Sequence, residues 1–77
     1  MTSKELLYVQ TVADEKSISR AAKKLFIAQP SLSQSIQRIE EALGTPLFNR
    51  NTKGLTLTFA GERYCKMASQ VLKMYED

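Results

Sequence analysis

The sequence predicts a mainly α fold: four helices, with one two-stranded hairpin inserted before the last. Three observations carry this. Leu32, Ile36, Ile39 and Leu43 recur at the spacing of one helix face. Gly44 and Pro46 then stop the helix, and two short alternating runs follow around "NTKG". From residue 59 onward, apolar residues return at helical spacing to the end of the chain.

The elements follow in order. The first helix is predicted over 3–14, with "TSKE" as a capping box: Thr2 or Ser3 caps and Glu5 reaches back. Its apolar side is Leu6, Val9 and Ala13, flanked by Leu7 and Tyr8. The second helix is predicted over 20–26, with Ser19 as N-cap and Ala21, Ala22, Leu25 and Phe26 packing inward. The third spans 29–43, with Gly44 in the left-handed conformation at its end. Strands at 46–50 and 55–58 make a hairpin whose polar tip contains Asn51 and Gly54, both tolerant of positive φ. Such a hairpin is unstable alone and must lean on the helices. The last helix is capped by Thr58. Its Gly61, Tyr64, Cys65, Ala68, Val71, Leu72 and Tyr75 share roughly a third of its circumference. Met67 and Met74 widen that stripe beyond what one small core covers, so one edge is expected to face a second molecule.

Composition narrows the function. With 77 residues there is one small domain, and its single Cys65 cannot form an internal disulfide. That usage fits a reducing compartment, with Cys65 as a small buried thiol. No apolar run is long enough to span a membrane, and the first twenty residues lack a signal-peptide core. The balanced charges on the last helix do not fit a lipid-surface segment either. There is no His, no metal-ligand spacing and no phosphate-cradling glycine run, so no enzyme, cofactor or metal is expected. The pairs Asp14–Glu15 and Glu40–Glu41 read as solvated surface. Net charge is +3, and its surplus is central: residues 16–39 carry Lys16, Arg20, Lys23, Lys24 and Arg38 without an acid, and residues 42–61 carry Arg50 and Lys53 without one. A segregated basic surface suggests a polyanion.

The third helix carries the sharpest signal. Opposite its inward stripe lie Pro30, Gln34, Gln37 and Glu41, flanked by Ser33 and Arg38. The outward face begins with amides, hydroxyls and a proline and turns acidic only at its far end. Ordinary solvated faces mix Glu and Lys, which form better helices than Ser. A helix docked by its first turns in a DNA major groove would show this gradient: amides and hydroxyls read base edges, and an apolar ring touches a thymine methyl. Pro30 costs nothing in a first turn. The preceding helix and the tight "FIAQ" connection complete a helix-turn-helix, with Arg20, Lys23 and Lys24 along the phosphate backbone. The hairpin becomes a wing, its Arg50 and Lys53 reaching flanking phosphates or a minor groove.

Together, "SISRAAKKL", "QPSLSQSIQRIEEALGTPLFNR" and "GLTLTFAGE" resemble the N-terminal DNA-binding domain of LysR-type transcriptional regulators. The resemblance covers essentially the whole chain. It implies a winged helix-turn-helix (three helices plus a two-stranded wing, residues 1–58) followed by a long C-terminal linker helix, 59–77, with 29–42 as recognition helix and 46–58 as wing. It implies base contacts from Gln29, Pro30, Ser33 and Gln34, and phosphate contacts from Ser31, Arg38 and Arg50. Gln37 joins the phosphate set with Arg20, Lys23 and Lys24, and Lys53 with Thr52 forms the minor-groove tip. It further implies a homodimer through the linker helices, by Tyr64, Ala68, Val71, Leu72 and Tyr75, on an interrupted inverted repeat of double-stranded DNA in the bacterial cytoplasm and nucleoid. A small molecule would be bound by an effector domain beyond these 77 residues. Three positions depart from the family pattern: Lys16 replaces a usual Gly, Ala28 a capping Ser or Thr, and Lys53 a common Arg. The rival reading is a winged-helix protein-interaction module without DNA binding.

Overall fold

The computed structural model describes residues 2–76. Helix α1, Ser3–Glu15, begins with the predicted capping box on Thr2: the Glu5 N–H donates to the Thr2 hydroxyl at 3.2 Å, and the Thr2 N–H to Glu5 Oε1 at 3.1 Å. Leu6, Val9 and Val12 turn inward, and Thr11 is buried with its hydroxyl donating to the Leu7 carbonyl at 2.7 Å. Lys16 ends the helix in the left-handed conformation at φ 57°, its N–H bonded to the Val12 carbonyl. The Lys-for-Gly departure therefore falls on a position that needs positive φ.

Helix α2, Ile18–Leu25, starts two residues before the predicted start. Ser17, not Ser19, is the cap, and its hydroxyl accepts the Arg20 N–H at 3.1 Å. The left-handed Lys16 reverses the chain at once, and starting there buries Ile18. Ala21 and Ala22 are buried, as close helix approach requires. Phe26, predicted to pack inward, is 94% exposed. It is the C-cap, at φ 59°, and its left-handed backbone throws the ring off the helix while Ile27 turns toward the core.

Helix α3, Gln29–Leu43, buries Leu32, Ile36 and Ile39. The inward stripe stops there, because Leu43 is half-exposed at the helix end. Gly44 caps it at φ 74°, its N–H shared by the Glu40 and Glu41 carbonyls. Strands β1, Phe48–Asn51, and β2, Gly54–Leu57, pair antiparallel from Phe48↔Leu57 to Asn51↔Gly54. The turn is only Thr52–Lys53, tighter than the four-residue tip predicted. Pro46 precedes the strand, having no N–H to give it. Of the two residues tolerant of positive φ, Gly54 takes it and Asn51 does not; the Asn51 Oδ1 instead accepts the Lys53 N–H at 3.0 Å.

Helix α4, Phe59–Glu76, is capped by Thr58, whose hydroxyl accepts the Gly61 N–H at 2.9 Å. It packs mainly on α1. Leu47, Tyr64 and Ala68 join residues of α1, α2 and α3 in one core. The boundary expected between 58 and 59 therefore does not separate two packing units. No helix among the described residues is long and apolar enough to cross a membrane.

Candidate nucleic-acid interface

Burial of Leu32, Ile36 and Ile39 fixes which side of α3 faces outward. Gln29, Pro30, Ser31, Gln34, Gln37 and Arg38 are all exposed, and Ser33 is half-buried at the flank. No acidic side chain lies in the first turn. Ala28, at φ −70° and ψ 139°, supplies no side-chain cap, so the first N–H groups of α3 are left for an external acceptor. A helix start with uncapped N–H groups and no acid suits an anion.

The flanking cations divide into two kinds. Lys23, Arg38, Arg50 and Lys53 are exposed. Lys24 carries the only ion pair among the described residues, 3.3 Å from Glu15 Oε2, and Arg20 donates to the Glu15 carbonyl at 3.3 Å. Glu15 is thus not a free surface acid; it ties α2 to the end of α1. An exposed pair of this kind contributes at most about 1 kcal/mol, so Lys24 can exchange Glu15 for a phosphate. Lys53 and Thr52 stand exposed at the wing tip, held by the Asn51 turn.

Glu40 is the residue that sequence reasoning missed. Its Oε2 accepts the N–H of Leu47 at 2.6 Å and of Phe48 at 3.3 Å. It is a structural anchor at the wing root, whereas its neighbour Glu41 is exposed as predicted. Its partners lie seven and eight residues away across a chain reversal, and nothing local marks them.

The expected dimer residues do not share one exposed face. Tyr64 and Ala68 are buried in the chain's own core, because that edge of the α4 stripe is the one laid against α1. Val71 and Leu72 are half-buried, and only Tyr75, with neighbouring Met74, is well exposed. Burial raises the Tyr64 hydroxyl pKa, with the charges of Glu5 and Cys65 adding to it. Burial likewise raises the half-buried Cys65 thiol, with Asp14 adding. Among the described residues no group of three or more His, Cys, Asp or Glu could hold a metal ion.

This chain matches, over residues 3–62, the family model described as bacterial regulatory helix-turn-helix protein, lysR family. It is 49% identical over 74 residues to the HTH-type transcriptional regulator BudR of Klebsiella aerogenes, covering 96% of this chain and 52% of BudR. It is 44% identical over 78 residues to the HTH-type transcriptional regulator BsdA of Bacillus subtilis (strain 168), covering all of this chain and 27% of BsdA. The chain thus spans about half, or about a quarter, of the relatives it matches. Among solved structures, the BenM DNA-binding domain in complex with catB site 1 DNA superposes with a TM-score of 0.93 at 37% identity, over 99% of this chain and 85% of that one. The CbnR DNA-binding domain–DNA complex gives 0.91 at 32% identity, over 99% and 87%. Full-length OxyR from Pseudomonas aeruginosa gives 0.89 at 36% identity, over 99% and 26%.

Proposed function

The chain belongs to the lysR family of bacterial regulatory helix-turn-helix proteins, and from that membership we propose that it is the sequence-specific double-stranded-DNA-binding part of a dimeric, cytoplasmic transcription regulator. The observation that carries the reading is the start of α3: exposed amides, hydroxyls and a proline, uncapped N–H groups, and no acid.

The first two turns of α3 enter the major groove. Gln29, Ser33 and Gln34 hydrogen-bond base edges, and the Pro30 ring touches a thymine methyl. Ser31, Gln37, Arg38, Arg20, Lys23 and Lys24 hold phosphates and set the register, carrying affinity rather than sequence information. Arg50 follows the backbone, and Lys53 with Thr52 enters the minor groove. Lys53 acts there as a point charge, so it reads groove width weakly. Two copies pair through the exposed end of α4, by Tyr75 with the outer edges of Val71 and Leu72. They occupy an interrupted inverted repeat with half-sites about 34 Å apart. The activity is binding, with no catalytic step. In the whole regulator, a small molecule acts through an effector domain outside this chain.

Fluorescence anisotropy on cognate and unrelated duplexes tests the reading. Gln34→Ala lowers cognate affinity about tenfold, the effect of losing a base contact worth about 1–3 kcal/mol, and leaves unrelated duplexes unchanged. Lys53→Ala weakens both alike. Equal losses from the two variants on every duplex would contradict the assigned roles. Affinity that stays flat between low and moderate salt would favour a protein-interaction module instead.

A further inference from the structure

Leu47 sits in the core and Phe48 and Leu55 pack against it, while few hydrogen bonds fasten the wing to the rest of the fold. On the β2 side, the Leu55 N–H donates to the Lys16 carbonyl at 3.2 Å. At the base of the hairpin, the Leu47 carbonyl accepts the Thr58 N–H at 3.0 Å and the Thr58 hydroxyl donates to the Pro46 carbonyl at 2.8 Å, joining the two ends of the wing at the cap of α4. These bonds tie the hairpin to the end of α1 and to the start of α4. The hydrogen bonds from α3 itself to residues 46–58, among the described residues, both fall on one carboxylate: Glu40 to the N–H groups of Leu47 and Phe48.

That arrangement is specific. Leu47 is fully buried and Phe48 is the first residue of β1, so the carboxylate grips the strand where it leaves the core. The Thr45 N–H is taken by the Glu40 carbonyl at 3.2 Å and Pro46 has no N–H, so the next donors after the Gly44 reversal are Leu47 and Phe48, and both meet the Glu40 carboxylate. Glu40 has no cation within ion-pair distance among the described residues, so its charge is met by the two backbone donors. It stands beside the outward face of α3, one residue before exposed Glu41, half-buried and away from Gln29, Ser33 and Gln34.

We propose that Glu40 is the positioning residue that sets the distance and angle between the recognition helix and the wing, so that major-groove and wing contacts engage the same duplex together. This rests on the reading that the wing touches DNA. Without the Glu40 carboxylate, the wing stays folded but is no longer held in register with α3. Lys53 then adds little to affinity, while Gln34 still reads its base.

Double-mutant cycles on the full chain test this, with duplex affinity measured where circular dichroism shows every variant folded. Glu40→Ala lowers affinity several-fold, by about as much as Lys53→Ala does. Combined, the two lose no more than Glu40→Ala alone, whereas Glu40→Ala with Gln34→Ala multiplies. The slope of log affinity against log salt also falls by about 0.9 for each phosphate that the wing no longer neutralises. If Glu40→Ala does not fold, Glu40→Gln, which keeps one acceptor oxygen, gives a smaller loss with the same pattern. A Lys53→Ala loss that multiplies fully with the Glu40 variant would overturn positioning while leaving the wing's DNA contact standing. Equal coupling of Glu40 to Lys53 and to Gln34 would reduce it to a general structural role and overturn the proposal. A Lys53→Ala variant with native affinity on every duplex would instead remove the wing's DNA contact, and the proposal with it.

Discussion

Gly61 lies so close to the Leu47 carbonyl that a Cβ at position 61 would overlap that oxygen and come within 2.9 Å of a Leu57 methyl. The Leu47 carbonyl cannot step aside, because it accepts the Thr58 N–H while the Leu47 N–H is held by Glu40. The first turn of α4 is thus seated against the wing root. Gly61→Ala forces these elements apart and should cost about 1–3 kcal/mol, the range for overpacking a tight contact. Urea denaturation measures it. Gly44→Ala, whose Cβ would meet nothing within 4 Å, isolates the cost of positive φ alone and should lose less. Equal losses would show that the Leu47 contact is soft.

Among the described residues, two non-glycines, Lys16 and Phe26, hold left-handed backbone. Each carries about 1–2 kcal/mol of strain that Gly or Asn relieves. Lys16→Gly should raise stability by up to about 1 kcal/mol, the relief being partly offset by greater unfolded-chain freedom. Phe26→Asn should do likewise, since the 94%-exposed ring buries little. A loss of stability at either site, measured by denaturant midpoint, would show that the side chain makes a contact its exposure conceals.

Cys65 and Tyr64 both have raised pKa values, chiefly from burial. Each is an acid that the fold keeps protonated more strongly than the unfolded chain does. Their contribution is therefore fully present below the ordinary thiol value of 9.0 and is lost as pH rises through the higher folded-state values. Thermal melts should fall progressively above that point. Cys65→Ser should remove the earlier part of the decline, and a melting temperature flat across this range would contradict it.

Dimer formation should depend on Tyr75 more cleanly than on Val71. Tyr75 is 72% exposed, whereas Val71 already packs against the chain's own core. Tyr75→Glu should shift the chain toward monomer in sedimentation at micromolar concentration with little change in melting temperature. Val71→Glu should lower both. A native chain that sediments only as monomer at high micromolar concentration would rule out pairing through this surface.

Element order, the capping box at 2–5, the cap at Thr58 and the outward face of α3 are legible because each is written locally, in periodicity or in capping side chains; the choice of Thr2 over Ser3 is settled only by the fold. Ser17 and Ser19 are equivalent caps by type, and only the reversal at Lys16 decides between them. Phe26 looks like a core residue until its backbone is known to be left-handed. Glu40 reads as solvated because its partners lie across the Gly44 turn. The width of the α4 stripe signals excess apolar surface, and Tyr75 and Met74 are indeed exposed. Which edge is covered depends on where α1 lies, and periodicity within α4 alone therefore puts Tyr64 and Ala68 on the wrong side.

Selection of bound sequences from a random double-stranded pool, run in parallel on the native chain and on Gln34→Ala, tests the central claim most directly. The native chain should enrich an interrupted inverted repeat. The variant should lose base preference at matching positions in each half while keeping the spacing. A native pool with no enriched sequence, or a variant pool identical to the native one, would contradict base reading by the start of α3.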